Sequence, residues 1–275
     1  MNVPTPEPSH PPVPAPALFA ESLGRGPRLV LAHGFTQTGR LWGSIDTDLA
    51  RDHRVVRVDL PGHGGSTGVA ADLDEGARLV GDVGGVATYL GYSLGARICL
   101  HLALARPELV TGLVLISGTA GIDDEPGRRQ RRASDGELAD ELDPAPGSGR
   151  TATPVAAFVR RWLDAPMFAG ISAEAGGREE RLRNTGAGLA SSLRLAGTGT
   201  QRPLWDEIGG LEMPVLIITG ERDEKFTALG TRMARAIGPA ATHAVVPGAG
   251  HAPHLQDPGR VTALVRAWTD GSGGP

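Results

Sequence analysis

The feature of this sequence that most limits its possible folds is a repeated alternation of short apolar runs with segments suited to helices. The runs are rich in β-branched residues and leucine, and several are continuously apolar, as strands covered on both faces are. They occupy residues 28–32, 54–58, 86–90, 112–117, 214–219 and 241–246. Helices are predicted between them at 44–51, 72–83, 94–105, 229–237 and 258–268. The pattern predicts an α/β fold with a mostly parallel, doubly wound sheet.

The alternation stops between about residues 121 and 201. This stretch is polar, contains a Gly/Ser/Pro cluster at 144–149, and shows helical patches near 158–163 and 179–193. Ligands of open α/β sheets bind at the carboxyl ends of the strands, so an insertion after a strand can act as a lid there. We expect a mainly helical lid insertion at 121–201, a core formed by 18–120 and 202–275, and a disordered proline-rich arm at 1–17.

Composition excludes several classes of function. The net charge of −4 provides no global field that would attract nucleic acid or an anionic membrane. No apolar run approaches the ~18 residues that a membrane helix needs, and the N-terminal arm lacks the basic start and apolar centre of a signal peptide. Cys99 is the only cysteine, so it forms no intrachain disulfide. We expect a cytoplasmic monomer or weak homo-oligomer, without nucleic-acid or membrane partners.

Two serines lie in a G-x-S-x-G pattern, and their surroundings distinguish them. Ser93, in Gly91–Gly95, follows a predicted strand and precedes a predicted helix, which is the arrangement of the nucleophile elbow in the α/β-hydrolase fold. Ser66, in Gly64–Gly68, lies in a glycine-rich loop with no helix directly after it. We predict that Ser93 is a catalytic nucleophile or base in an α/β-hydrolase fold, and that Ser66 is a loop residue.

A serine hydroxyl needs a neighbour that takes its proton, and in this fold the acid and the histidine follow the serine in that order. Asp223 is the best placed acid on the loop after the strand at 214–219, with Glu221 and Glu224 as rivals. His251 follows the last strand, among glycines that let a loop reach across to a neighbouring strand end.

The other histidines are predicted to have supporting roles. His254 is expected to support the site or to cap the following helix, and His243 lies inside a predicted strand. His33 and His63 follow two other strands, but their spacing does not form a set of metal ligands.

An oxyanion hole is expected from two backbone N–H groups, those of Phe35 and Leu94. Phe35 follows the first strong strand, and Leu94 is the residue after the predicted elbow serine. No dinucleotide-binding, P-loop or zinc pattern occurs in the sequence, so no metal or organic cofactor is implied.

The arginines raise the question of an anionic ligand. Arg97 lies one helical turn after Ser93, where a buried guanidinium is costly unless an anion meets it. The segment 121–202 holds 12 arginines but also 12 acidic residues, so the count leaves both a solvated surface and a polycarboxylate site open.

Several motifs together resemble one family, the 2-succinyl-6-hydroxy-2,4-cyclohexadiene-1-carboxylate (SHCHC) synthases of menaquinone biosynthesis. The motifs are VDLPGHGGS at 58–66, GYSLGAR at 91–97, an RxxR segment followed by Ser134-Asp135, Trp162 with Pro166-Met167-Phe168, RLRNTGAG at 181–188, GERDEKF at 220–226 and GAGHAPH at 248–254. The family uses the α/β-hydrolase fold with a lid. The resemblance implies a lyase that eliminates pyruvate from 2-succinyl-5-enolpyruvyl-6-hydroxy-3-cyclohexene-1-carboxylate, a small polycarboxylate.

The resemblance also implies roles for individual residues. Ser93, Asp223 and His251 would form a triad that acts as a base. Arg97, Arg131 and Arg183 would bind carboxylates, and Tyr92, Trp162 and Phe168 would line the pocket. Two alternatives stay open: a carboxylesterase or carbon–carbon bond hydrolase that forms an acyl-enzyme, and a non-catalytic receptor for a small anion. Neither accounts for the three arginines together with a complete triad.

Overall fold

A computed structural model describes residues 17–271 and shows a seven-stranded sheet. The strands are β1 (Ala20–Leu23), β2 (Arg28–Ala32), β3 (Arg54–Val58), β4 (Ala87–Tyr92), β5 (Val110–Ile116), β6 (Val215–Gly220) and β7 (Ala241–Val246). Their order is β1-β3-β2-β4-β5-β6-β7, and all neighbours are parallel except β1 and β3. The predicted mostly parallel sheet is confirmed. The predicted arm at 1–17 lies outside the described residues, apart from its last residue.

The described helices are α1 (Ile45–Leu49), α2 (Leu73–Gly84), α3 (Leu94–Ala105), α4 (Glu125–Leu142), α5 (Val155–Leu163), α6 (Arg178–Arg181), α7 (Gly186–Ala196), α8 (Glu224–Ile237), α9 (Pro253–Gln256) and α10 (Pro258–Thr269). None of the helices in this part of the chain is long and apolar enough to cross a membrane.

Alternate residues of the central strands pack into two separate hydrophobic cores, one on each face of the sheet. This explains why these strands are apolar on both faces. In β2, Val30 packs with residues of α2, α3 and α8. Its neighbours Leu29 and Leu31 pack on the opposite face with residues of α1 and α10. Cys99 of α3 is fully buried, and burial raises the pKa of its thiol to about 12, as befits an inert core residue.

The segment 121–201, called the insertion below, joins β5 to β6 and contains α4, α5, α6 and α7 but no strand. It has a small apolar core of its own, to which α4, α5 and α7 contribute residues such as Leu142, Phe158 and Leu189. Because this cluster is far smaller than the two sheet cores, the insertion depends on the sheet beneath it for further apolar contacts.

The structure corrects several details of the predicted elements. The short edge strand β1 was not predicted, because its sequence AESL contains no apolar run and it is only partly buried. The predicted helix at 179–193 is divided into α6 and α7, and the side chain of Thr185 caps α7 by accepting from Gly188. Helix α8 begins at Glu224 instead of 229, because Asp223 acts as its N-cap.

Candidate active site

Ser93 lies at the sharp turn between β4 and α3, at the carboxyl edge of the sheet. Its backbone is in a strained left-handed region, with φ 50° and ψ −102°. Glycines on both sides make this turn possible. A Cβ at Gly95 would lie 1.9 Å from the carbonyl oxygen of Ala32, and one at Gly91 would lie 2.4 Å from the carbonyl of Gly95. The sequence pattern around Ser93 is therefore a steric requirement of this turn.

The structure brings Ser93, His251 and Asp223 into one hydrogen-bonded chain. The Nδ1 atom of His251 lies 2.6 Å from Oδ2 of Asp223, and its Nε2 atom lies 3.3 Å from Oγ of Ser93. His251 is 2% exposed. The carboxylate of Asp223 can only accept, so Nδ1 of His251 carries the proton and Nε2 is free to accept from the serine.

The rival residues have other partners or lie elsewhere in the structure. Glu221 accepts a hydrogen bond from the backbone of Gly248, 2.7 Å away, and Glu224 lies in the first turn of α8. The hydroxyl of Ser66 accepts from the backbone of Phe19, 2.8 Å away. His243 is hydrogen-bonded through Nε2 to a threonine hydroxyl of β6, 2.8 Å away. Of the predicted acids, Asp223 is the one whose carboxylate contacts His251.

Two backbone N–H groups near Ser93 have no acceptor among the described residues. Leu94 is the first residue of α3, where an N–H has no acceptor within the helix. Phe35 lies in a tight turn, closed by a 3.1 Å hydrogen bond from the backbone N–H of Gln37 to the oxygen of Gly34. The N–H of Gly95 donates to the oxygen of His33 at 3.0 Å, which ties this turn to the elbow. The N–H groups of Phe35 and Leu94 are therefore the candidate donors of an oxyanion hole.

His33 and His63 are buried and neutral, and they hold the loops after β2 and β3 together by hydrogen bonds. Each donates from Nδ1 to a backbone oxygen and accepts at Nε2 from a backbone N–H: His33 bridges Gly34 and Leu60, and His63 bridges Pro61 and Thr36. Burial lowers the pKa of His33 to about 4 and that of His63 to about 3.

Acid is expected to destabilise the fold through His33 and His63. In the unfolded chain both titrate near pH 6.5, whereas in the folded chain they bind protons only near pH 4 and 3. The unfolded state therefore binds more protons below pH 6.5, and stabilisation that is present above this pH is lost as the pH falls. Between pH 7.5 and 5, we expect the free energy of unfolding to fall by about 2 kcal/mol per histidine, as measured by urea denaturation.

A His63→Gln variant is the control for this prediction, because its amide oxygen can still accept from Thr36 while it carries no titrating group. Its stability should depend less steeply on pH than that of the unmodified chain. Equal free energies of unfolding at the two pH values in the unmodified chain would contradict the prediction.

Aromatic side chains surround the His251 imidazole. The rings of Tyr92, Phe226 and Phe168 lie 5.6, 4.4 and 6.3 Å from it, between centroids. Trp162 of the insertion lies 5.9 Å from Phe168, and its indole nitrogen is buried without a partner among the described residues. Phe226 was not predicted as a site residue, although it lies in the GERDEKF motif. These rings cover His251, which is 2% exposed, and the scarcity of water there strengthens the electrostatic interactions around the imidazole.

His254 lies among the aromatic side chains that surround His251, which we call the aromatic wall. It is fully buried, and its ring lies 4.0 Å from that of Tyr92. Burial holds its pKa well below the usual value, so it is neutral. It supports the site by packing and lies within α9, rather than at the cap of α10, which is Asp257.

Arg97 is buried one turn of α3 after Ser93, and its side chain has few partners. It is 6% exposed, and the one hydrogen bond of its side chain among the described residues is a 3.3 Å contact with the backbone oxygen of Gly197. Burial, and then the nearby charge of Arg131, lower the pKa of Arg97 to about 10, while Asp135 acts in the opposite direction. Its guanidinium remains charged at neutral pH, and most of its N–H donors have no acceptor in the described part of the chain. Both properties are typical of a group that binds an anionic ligand.

The other predicted arginines differ in position. Arg131 is partly exposed and pairs with the buried Asp135 at 2.8 Å, so it shares the electrostatic environment of Arg97. The side chain of Arg183 is 53% exposed and pairs with Glu180 at 3.2 Å, so it is not buried as the side chain of Arg97 is.

Arg181, which was not predicted, is the buried arginine of this segment. It is 1% exposed, and it donates to the backbone oxygen of Gly176 at 2.7 Å and to the hydroxyl of Thr36, next to Phe35. Burial lowers its pKa to about 10. The motif RLR contains two arginines, Arg181 and Arg183. The sequence alone does not show which of the two is buried.

The described residues contain no group of three His, Cys, Asp or Glu side chains that could hold a metal ion.

The parallel sheet, the elbow and the loop order of serine, acid and histidine define a class of protein, the α/β hydrolases. A family model described as the alpha/beta hydrolase family matches residues 29–264, and the chain belongs to this family.

Similar proteins show which family of α/β hydrolases this chain belongs to. A Bacillus subtilis (strain 168) protein assigned as 2-succinyl-6-hydroxy-2,4-cyclohexadiene-1-carboxylate synthase is 33% identical, over 84% of this chain and 85% of its own length. The Enterobacter sp. (strain 638) enzyme of that name is 31% identical, over 87% and 90%. The chain superposes on the structure of MenH from S. aureus with a TM-score of 0.82 and 26% identity, over 93% of this chain and 99% of that one. The chain belongs to the SHCHC synthase family, and the predicted resemblance is confirmed.

Proposed function

We propose that this protein eliminates pyruvate from 2-succinyl-5-enolpyruvyl-6-hydroxy-3-cyclohexene-1-carboxylate and so forms SHCHC, in menaquinone biosynthesis. One observation supports the proposal most strongly: Ser93, His251 and Asp223 form a hydrogen-bonded chain, and one turn of α3 after Ser93 lies Arg97, a buried cation with most of its side-chain donors unused. A hydrolase of neutral esters has no use for that charge, whereas a substrate with several carboxylates does.

The reaction requires a base and a stabilised enolate. Comparison of substrate and product shows that the ring loses the proton at C2, next to the ketone of the succinyl group. The ring double bond shifts, and the bond from C5 to the enolpyruvyl oxygen breaks. The proton passes to Oγ of Ser93 as the serine's own proton passes to Nε2 of His251, and Asp223 stabilises the resulting imidazolium. The departing enolate takes up a proton to become pyruvate.

The oxyanion hole has a defined task in this scheme. As the C2 proton leaves, negative charge develops on the ketone oxygen, and the N–H groups of Phe35 and Leu94, which have no acceptor among the described residues, would stabilise it. The serine acts as a base, so no covalent intermediate forms.

Substrate binding is assigned to the arginines and the aromatic wall. Arg97 and Arg131 would bind carboxylates, and Arg181 takes the role that the resemblance gave to Arg183, because Arg181 is the one buried next to the oxyanion turn. Tyr92, Trp162 and Phe168 enclose the ring of the substrate. All of these groups come from one chain, so a monomer or weak homo-oligomer suffices for the reaction, and the proposal places the enzyme in the cytoplasm.

The test supplies purified protein with the succinyl-enolpyruvyl precursor and follows pyruvate with a coupled lactate dehydrogenase assay. Pyruvate and SHCHC should appear in equal amounts, faster than the spontaneous decay of the precursor. Intact-mass spectrometry during turnover should show no covalent adduct on the protein. An acyl adduct and a burst of product with simple esters, without release of pyruvate, would instead identify a serine hydrolase.

A further inference from the structure

Thr36, the residue after the oxyanion donor Phe35, has an unfavourable backbone conformation. Its φ is 66°, in the left-handed region that β-branched residues normally avoid, and it is fully buried. It is the third residue of the turn from Gly34 to Gln37, where a positive φ usually requires glycine. The turn that carries the Phe35 N–H must therefore be held in place by its surroundings.

Three side chains hold Thr36, and two of them come from the insertion. His63 of the core accepts from its N–H at 3.3 Å. Asn184 donates from Nδ2 to its carbonyl oxygen at 2.7 Å, and Arg181 donates to its hydroxyl. A glycine at position 36 would avoid the strain but would offer no hydroxyl to Arg181. The turn is thus stabilised by contacts with residues that are distant in sequence.

Asn184 uses both ends of its amide to join the insertion to the core. It lies between α6 and α7 and is 5% exposed. Its Oδ1 atom accepts from the N–H of Gly64 at 2.9 Å, while Nδ2 also donates to the oxygen of Arg181 at 3.0 Å. One side chain therefore fixes the segment 181–184 against two core loops, and one of these loops contains the oxyanion turn.

We propose that Asn184 is a positioning residue, which holds Thr36 in its left-handed conformation and thereby keeps the Phe35 N–H directed at the developing oxyanion. The oxyanion hole is then complete only when the segment 181–184 of the insertion is seated on the core. The inference rests on the proposed function and adds to it: this segment both supplies Arg181 for a substrate carboxylate and completes the group that stabilises the enolate.

The test compares Asn184→Ala with Thr67→Val. The hydroxyl of Thr67 lies 2.6 Å from that of Thr185, so it also joins this part of the insertion to the core, but it does not touch the oxyanion turn. For Asn184→Ala we expect kcat for pyruvate release to fall about 10-fold, less than for loss of an oxyanion donor itself, with KM changed less than about twofold. Amide hydrogen exchange in a peptide covering 33–38 should become faster. Thr67→Val should change neither kcat nor the exchange.

A second variant keeps the test decisive if Asn184→Ala folds poorly. Asn184→Asp retains an acceptor for Gly64 but lacks the donor for Thr36, so it should show the same faster exchange. Unchanged exchange at 33–38 in both variants would overturn the proposal, as would a loss that appears only in KM. If the unmodified protein releases no pyruvate, the proposed function fails, while the exchange measurement still tests whether Asn184 holds the turn.

Discussion

A Ser93→Ala variant is expected to lose pyruvate elimination by a factor of roughly 10³, within the range that a positioned base supplies. Removal of Oγ leaves His251 and Asp223 paired at 2.6 Å, but no group then bridges the imidazole to the ring proton of the substrate. The arginines are untouched, so the variant should still bind SHCHC. Turnover is measured by the pyruvate assay and binding by calorimetry.

The other serine with the same local pattern provides a matched control. Ser66 is buried and accepts from the backbone of Phe19, so Ser66→Ala removes a hydroxyl of the same chemistry outside the His251 chain. Its kcat should remain within about twofold of the unmodified value, as expected for a group that makes no contact in the transition state. If Ser93→Ala retained more than a tenth of the activity, a serine base would no longer be tenable.

The triad and the sheet could be predicted from sequence because their determinants are local. A strand buried on both faces is a continuous apolar run, and Ser93 requires small neighbours within two residues on either side. Asp223 and His251 follow from the fixed loop order of the fold. Each of these signals lies within a few consecutive residues, and the fold then brings the three side chains together.

The rest depended on contacts that no local pattern records. Helix α4 was not predicted from the sequence. It carries many charged residues and few of its side chains are buried, so it has no clear apolar stripe. Arg181 and Arg183 are two residues apart, and only tertiary packing decides that Arg181 is the buried one. The strain at Thr36 and its relief by Asn184 join residues 148 positions apart. Interactions of this kind appear only once the insertion is placed on the sheet.

An Arg97→Met variant is expected to lose activity on the polycarboxylate substrate without losing stability. Methionine keeps an apolar stem of similar length but removes the charge, so the substrate carboxylate is left without its buried partner. A loss of about 3–4 kcal/mol, within the range for buried charge pairs, corresponds to a fall of roughly 10²–10³ in kcat/KM. Steady-state kinetics of pyruvate release measures this fall, and hydrolysis of a small neutral ester, if detectable, should change less than about threefold.

The stability of Arg97→Met separates ligand binding from a structural role. Burial already lowers the pKa of Arg97 to about 10, and the one hydrogen bond of its side chain among the described residues, to Gly197, is 3.3 Å long, so the unliganded fold gains little from this charge. The variant should therefore melt at the same temperature as the unmodified protein or higher, as is common when a functional charge is removed. Arg194→Met is the control, because Arg194 pairs with Asp140 and Asp143 on the surface of the insertion and should affect neither reaction. A lower melting temperature for Arg97→Met, with equal losses on both substrates, would show that Arg97 supports the fold and does not bind a carboxylate.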